Sequence, residues 1–218
     1  MRHPVPRLLS CLVILVCWIS LCNGQQQRPL RLDRPVDLHV RKVTFMYVLG
    51  MLSTVKNIPL GVEFCADEKN EPTLDIDVSK APIVEVLNII VQQKPAYMWE
   101  MRDGVINFTP VQNRDSFFEK LLDTPIRSFQ SPKGNNKFAI REALYNIPEI
   151  KQLIIAKGVE ADTLGYPHRP SIYANDADLS DKNTNFRSLL NKIIRESEHN
   201  FWLLQWVDKK QKLFELGF

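Results

Sequence analysis

The stretch Leu74-Asp75-Ile76-Asp77-Val78-Ser79-Lys80-Ala81-Pro82-Ile83-Val84-Glu85-Val86-Leu87-Asn88-Ile89-Ile90 changes its period partway along. Leu74, Ile76 and Val78 alternate with Asp75, Asp77 and Ser79, which predicts a strand with one wet face. From Pro82, a residue suited to a first helical turn, Ile83, Val86, Leu87 and Ile90 recur at helical spacing up to Pro95. Beyond it, Tyr97–Met101 and Val105–Phe108 flank Arg102-Asp103-Gly104, and Asp-Gly between two such runs signals a tight hairpin.

Upstream, Val36-Asp37-Leu38-His39-Val40 alternates strictly and predicts another strand. Thr44 is placed to cap a helix in which Phe45, Val48, Leu49, Leu52 and Val55 share one face, and Pro59 ends it. Leu60 to Ala66 then reads as a short strand and residues 67–72 as a turn. The order from Val36 to Pro110 is β-α-β-β-α-β-β. Each helix has a single apolar stripe, so both are expected on one face of a small mixed sheet.

The second half repeats part of this pattern. A shift of 103 residues lays Leu87-Asn88 on Leu190-Asn191, Ile90 on Ile193, Trp99 on Trp202 and Met101 on Leu204, without a gap. The helix stripe follows, with Ile83, Val86 and Leu87 on Phe186, Leu189 and Leu190. Pro125 to Phe129 is the expected first strand of this half. Asn136 to Asn146 is its first helix, with Ile140, Ala143, Leu144 and Ile147 inward. Pro148 interrupts that helix or opens another, with Ile150, Leu153 and Ile154 facing in and Gly158 as its stop. Residues 165–170 form an extra loop, and Arg114–Asp123 a link with helical spacing of Phe117, Phe118, Leu121 and Leu122. The expected fold class is α+β: two small β-α-β-β-α-β modules, at 35–112 and 124–218, joined by a linker at 113–123.

From Leu74 to Phe108 the sequence resembles the short N-terminal (STN) domain shared by secretins and TonB-dependent receptors of the bacterial envelope. The alternating strand Leu74–Val78, the helix Ile83–Ile90 and the segment Tyr97–Phe108 carry the likeness, and Val36–Val55 also fits. Pro95-Ala96 stands where that family usually has a Gly. The resemblance implies a periplasmic, protein-binding module without catalysis of its own, and a second half that is a divergent copy.

The amino terminus has the layout of a secretory signal peptide: Arg2 and Arg7, an apolar run Leu8–Leu21, then Cys22-Asn23-Gly24. Cleavage after Gly24 would leave a flexible leader at 25–34. Lipidation at Cys22 is the alternative, opposed by the bulky Leu21, and a retained anchor is a third. The run is short for a helix that must cross a bilayer of about 30 Å. The chain has 28 basic and 25 acidic residues; without residues 1–24 the balance is 26 against 25. Such near neutrality gives no clustered footprint for nucleic acid. Three of the four cysteines, Cys11, Cys17 and Cys22, lie in the signal, so no internal disulfide is expected and Cys65 reads as a small apolar residue in an apolar run.

Residues with chemistry are sparse. His39, His168 and His199 are far apart, with no His-Glu-x-x-His and no Cys-x-x-Cys. Glu196 and His199 make one Glu-x-x-His, where a di-iron site needs two. Asp176, Asp178 and Asp181 lack the Gly and closing Glu of a calcium loop and match a solvated strand edge. Asn107-Phe108-Thr109 is a glycosylation sequon inside a predicted strand. Phe214, Leu216 and Phe218 alternate as in a final strand of the second module; one strand closes no membrane barrel. No cofactor or metal site is expected.

The aromatic strands differ between the halves. The second carries Phe201 and Leu203 on one face and Trp202, Leu204 and Trp206 on the other. A strand apolar on both faces is normally buried on both. Phe201 and Leu203 therefore either pack on the first half, the linker or the insert, or form an exposed patch for another protein. With Trp206 they are the interface candidates. The expected function is that of an exported, periplasmic or secreted, non-catalytic interaction module, an accessory to a secretin or TonB-dependent receptor system. It would bind a protein partner through sheet edges or this patch. The rival reading is a small secreted hydrolase with its site between the modules, near His168.

Overall fold

Thr44 accepts the Tyr47 N–H through its hydroxyl and so ends one element and begins the next, as its position before the Phe45 stripe requires. The computed structural model describes residues 30–64, 73–132, 137–162, 179–197 and 200–218. Residues 1–29, with the expected signal peptide and half of the leader, lie outside them, as do Cys65, His168, Asp176, Asp178 and His199.

The first half runs β1 (Pro35–Val43), α1 (Phe45–Thr54), β2 (Leu60–Glu63), β3 (Leu74–Pro82), α2 (Ile83–Gln93), β4 (Tyr97–Arg102) and β5 (Val105–Pro110). The link folds as α3 (Ser116–Asp123), capped by Asp115, which accepts the Phe117 N–H. The second half runs β6 (Pro125–Gln130), α4 (Lys137–Tyr145), α5 (Pro148–Lys157), β7 (Glu160–Ala161), β8 (Ser180–Asn185), α6 (Phe186–Glu196), β9 (Phe201–Asp208) and β10 (Leu213–Gly217). The expected helix at 136–146 is α4, and of the two options for Pro148 the observed one is the opening of another helix, α5, whose first turn it occupies. Gly158 closes α5 in the left-handed conformation at φ 57°. The protein is α+β, with mixed strand directions and helices on the sheet faces.

The sheets are distributed differently from the expected pair of small ones. β1 pairs with β3, and β6 with β8, as separate two-stranded ribbons. The remaining strands of both halves form one six-stranded sheet in the order β4-β5-β2-β9-β10-β7. The halves meet where β2 lies parallel to β9, Leu60 opposite Phe201 and Val62 opposite Leu203. A short β2 paired only with β5 would leave a bare backbone edge, and β9 supplies its missing hydrogen bonds.

Alternation along these strands separates two cores. Leu60, Val62, Ile106 and Phe108 point to one face, where Phe45, Leu49 and Leu52 of α1 and Val86, Leu87 and Ile90 of α2 cover them. Trp202, Leu204, Phe214 and Leu216 point to the other face, under Phe118 and Leu122 of α3 and Leu189, Leu190 and Ile193 of α6. The helices of the two halves therefore lie on opposite faces of the shared sheet. Tyr145 ties α4 to its last strand, its hydroxyl accepting the Leu216 N–H at 2.8 Å, and burial pushes its phenol above the ordinary tyrosine range.

Candidate functional site

β9 carries the three interface candidates, and the structure does not bring them together. Phe201 and Leu203 are half-buried and pack against the core of the first half. Trp206 faces the opposite way. Its indole stacks on Phe118 with centroids 5.0 Å apart and donates Nε1–H to Asp115 Oδ2 at 3.0 Å. It lines a cleft of about 490 Å³ together with Glu63, Phe64, Pro110, Asp208 and Lys209. Of the two fates open to Phe201 and Leu203, the observed one is contact with the other half of the chain.

At the floor of the same region lies a charged group that a linear sequence search passes over. Glu63 ends β2 with its carboxylate 2% exposed. Arg187 from the first turn of α6 donates to Oε1 at 2.5 Å, and Arg114 donates Nη2–H to Oε1 at 2.8 Å and Nε–H to Oε2 at 2.9 Å. The bond to Glu63 raises the Arg114 guanidinium above its ordinary value, so it stays charged. Arg187 is itself 2% exposed; its Nε and Nη1 find no acceptor among the described residues, and its guanidinium carbon stands 6.0 Å from the Trp202 ring centroid. A carboxylate held by two guanidiniums from beyond the first half is a clamp across the β2–β9 junction. The available signal was a lone acid inside the apolar run Val62-Glu63-Phe64.

A second group forms on the wet face of the β1–β3 ribbon. His39 stands opposite Asp77 across the ribbon, with Nδ1 2.5 Å from Asp77 Oδ1, and its Nε2 is 3.4 Å from the Ser79 hydroxyl. Asp77 and Ser79 are two apart on one strand, so the pleat presents both on one face. The hydrogen bond to His39 holds the Asp77 carboxyl below its usual range. The order Ser–His–Asp has the connectivity of a nucleophile, base and orienting acid. The setting is that of open solvent, with the His39 and Asp77 side chains 54% and 70% exposed. The nearby Lys80 N–H is engaged by Asp37, and the cleft beside Trp206 is lined by none of these residues. An oxyanion needs preorganised donors in a water-poor pocket, which this face does not offer.

A wider cleft, about 950 Å³, opens at the other end of the junction among Arg31, Arg34, Asp103, Arg195 and Asn200. Its cations are engaged internally: Arg31 with Asp33 at 2.6 Å, Arg195 with the Asp103 carbonyl at 2.7 Å, and Arg34 with the Lys56 carbonyl. Among the described residues no three of His, Cys, Asp and Glu are gathered as a metal site, and no helix is long and apolar enough to cross a membrane. Asp181, the described member of the acidic trio, lies 3.7 Å from Lys192 Nζ.

A further open feature is one edge of the six-stranded sheet. β4 pairs with β5 through all six of its residues and has no neighbour on its other side among the described strands. Met98 and Met101 on it are 48% and 47% exposed. No family model, no curated protein and no solved structure matches this chain.

Proposed function

We propose that this is an exported, non-catalytic protein-interaction module of the bacterial cell envelope, built from two related STN-like modules at 35–112 and 124–218. A signal peptide at 1–24 would deliver it to the periplasm or the medium, where it would serve as an accessory to a secretin or TonB-dependent receptor system. The observation that carries the reading is the open β4 edge: a six-residue strand with exposed methionines and one side without a neighbour among the described strands is a site for β-strand addition. Met98 and Met101 add soft apolar contacts that adapt to a partner. The duplication is supported by the gapless 103-residue offset and by the same sequence of strand partners, β4-β5-β2 then β9-β10-β7. Met101→Pro blocks the outer side of β4. Affinity capture from an envelope extract is expected to recover a partner with the unaltered protein and to lose it with this variant; capture unaffected by Met101→Pro would sink the reading.

A hydrolase is the second reading, favoured by the His39, Asp77 and Ser79 arrangement and, from sequence, by His168. A screen of ester and amide substrates on purified protein, beside His39→Ala and His168→Ala, discriminates the two. No turnover dependent on either histidine is expected.

A further inference from the structure

We infer that the open edge of β4 receives an extended segment of another protein, running parallel to β4, with a glycine opposite Trp99 and aliphatic residues on either side of it. This rests on the reading of the chain as a protein-binding module and specifies what that module recognises.

The argument comes from comparing two tryptophans. Trp99 on β4 donates its indole N–H to Asn88 Oδ1 at 3.1 Å, and Trp202 on β9 donates its own to Asn191 Oδ1 at 2.8 Å. In both cases the asparagine lies 11 residues earlier, on the preceding helix. Each strand pairs antiparallel with the strand that follows it, β5 or β10, and that strand pairs parallel with β2 or β7. The two settings differ on one side only. β9 is covered by β2 and Trp202 is wholly buried, whereas β4 has no such neighbour and Trp99 is half-buried.

The backbone of β4 is ready for the missing strand. Asp103 and Gly104 form a two-residue turn with φ of 53° and 74°, so Arg102 and Val105 exchange hydrogen bonds across it. Alternation then directs the peptide groups of Met98 and Glu100 to β5, and those of Trp99 and Met101 away from it. Pro110, which has no N–H, sits opposite Tyr97, in keeping with that phase. At the place on β9 that matches Met101, the Leu204 carbonyl accepts the Phe64 N–H beyond the end of β2 at 2.8 Å. Trp99 and Met101 offer the same groups to a strand in the same position.

The occupied junction also states the chemistry of the occupant. Gly61 is the residue opposite Trp202, and a Cβ there would stand 2.2 Å from Cε2 of the indole. Leu60 and Val62 beside it are fully buried on the other face. A strand lying over Trp99 in this manner therefore needs Gly at that point and apolar neighbours. It does not need an acid like Glu63, because Val84 stands at the position in α2 that matches Arg187 in α6 under the 103-residue offset. The source is another protein rather than a second copy of this one: β2 is already held by its own β9, and the opposite sheet edge, β7, is described over two residues, Glu160–Ala161. Short edge strands resist pairing.

The test is a titration of the ¹⁵N-labelled protein with the synthetic heptapeptide Ile-Pro-Leu-Gly-Val-Glu-Phe, a copy of residues 58–64, followed by ¹H–¹⁵N correlation spectra. Saturable shifts of the Trp99 indole N–H, assigned with Trp99→Phe, and of the Met101 amide are expected. Replacing the peptide glycine by valine is expected to weaken binding about tenfold or more, since the added carbons have no space. Equal affinity of the two peptides, or shifts confined away from β4, would overturn the inference. So would self-association of the protein in sedimentation runs that Met101→Pro abolishes, since the occupant would then be a second copy. These outcomes leave the interaction-module reading in place, which depends on partner capture and its sensitivity to Met101→Pro. The peptide pair alters nothing in the protein, so a folding defect cannot mimic the result.

Discussion

Gly61 lies against the indole of Trp202 so closely that a single added carbon would stand 2.2 to 2.5 Å from three ring atoms. The contact is ring against backbone, with Trp202 fully buried and Gly61 buried opposite it. Gly61→Ala is therefore expected to destabilise the fold by about 2 kcal/mol, in the range of overpacked cores. Thermal unfolding followed by circular dichroism measures it; an unchanged midpoint would show that β2 and β9 are not in this register.

Glu63→Leu leaves the buried Arg187 guanidinium without its counter-charge, and a broken buried pair costs about 3–5 kcal/mol. The double variant Glu63→Leu with Arg187→Leu is expected to recover most of that loss, because two apolar side chains need no charge partner. Arg114, partly exposed to water, would lose little by comparison. Urea denaturation of the single and double variants gives the coupling directly, and additive losses would argue against the clamp.

Phe201→Ser with Leu203→Ser removes apolar groups that pack on the first core, so the expected effect is loss of stability across the junction. A well-folded double variant with an unchanged denaturation midpoint would restore these residues as a free surface patch. The expected lowering is at least about 2 kcal/mol, given two partly buried apolar side chains.

The Asp77 carboxyl is held below its ordinary value by the His39 hydrogen bond, so this contact stabilises the fold above the unfolded carboxyl's range and loses that effect as pH falls through the folded value. His39→Ala is expected to return Asp77 toward its ordinary value, read by carboxyl ¹³C shifts against pH. The change should shrink in high salt, as both side chains are in water.

Residues 1–24 provide a prediction independent of the fold. Mass spectrometry of the protein recovered from an exporting bacterial host is expected to give an amino terminus at Gln25; a start at a lipid-bearing Cys22 would replace that expectation.

Elements set by neighbours in the chain were legible in the sequence. Thr44 before the Phe45 stripe, Asp103-Gly104 between two strands and Gly158 after α5 each act within a few residues, so the spacing alone reveals them. The shared sheet was not legible. Its junction depends on Glu63 meeting Arg187 across 124 residues and on Ser53 bonding the Asn200 carbonyl across 147, and no local period encodes such distances. The apolar two-sidedness of β9 did signal double burial, and only the register showed which partner provides it. The same holds for His39, Asp77 and Ser79: their meeting follows from how β1 is laid on β3, with His39 opposite Asp77.

The separation of β2 from β9, about 140 residues along the chain, governs when the shared sheet can be completed. During synthesis, β2 emerges early and has its β5 neighbour after about 46 further residues, yet its other side stays bare until Phe201–Asp208 has appeared. Until then a glycine-bearing strand with an open flank, and the half-made pocket of Glu63, face the solvent or any holding chaperone. β9 and β10 thus act as a completion step for the shared sheet: a chain truncated before Phe201 would keep its first ribbon and helices but expose a sticky edge, marking it for aggregation or proteolysis.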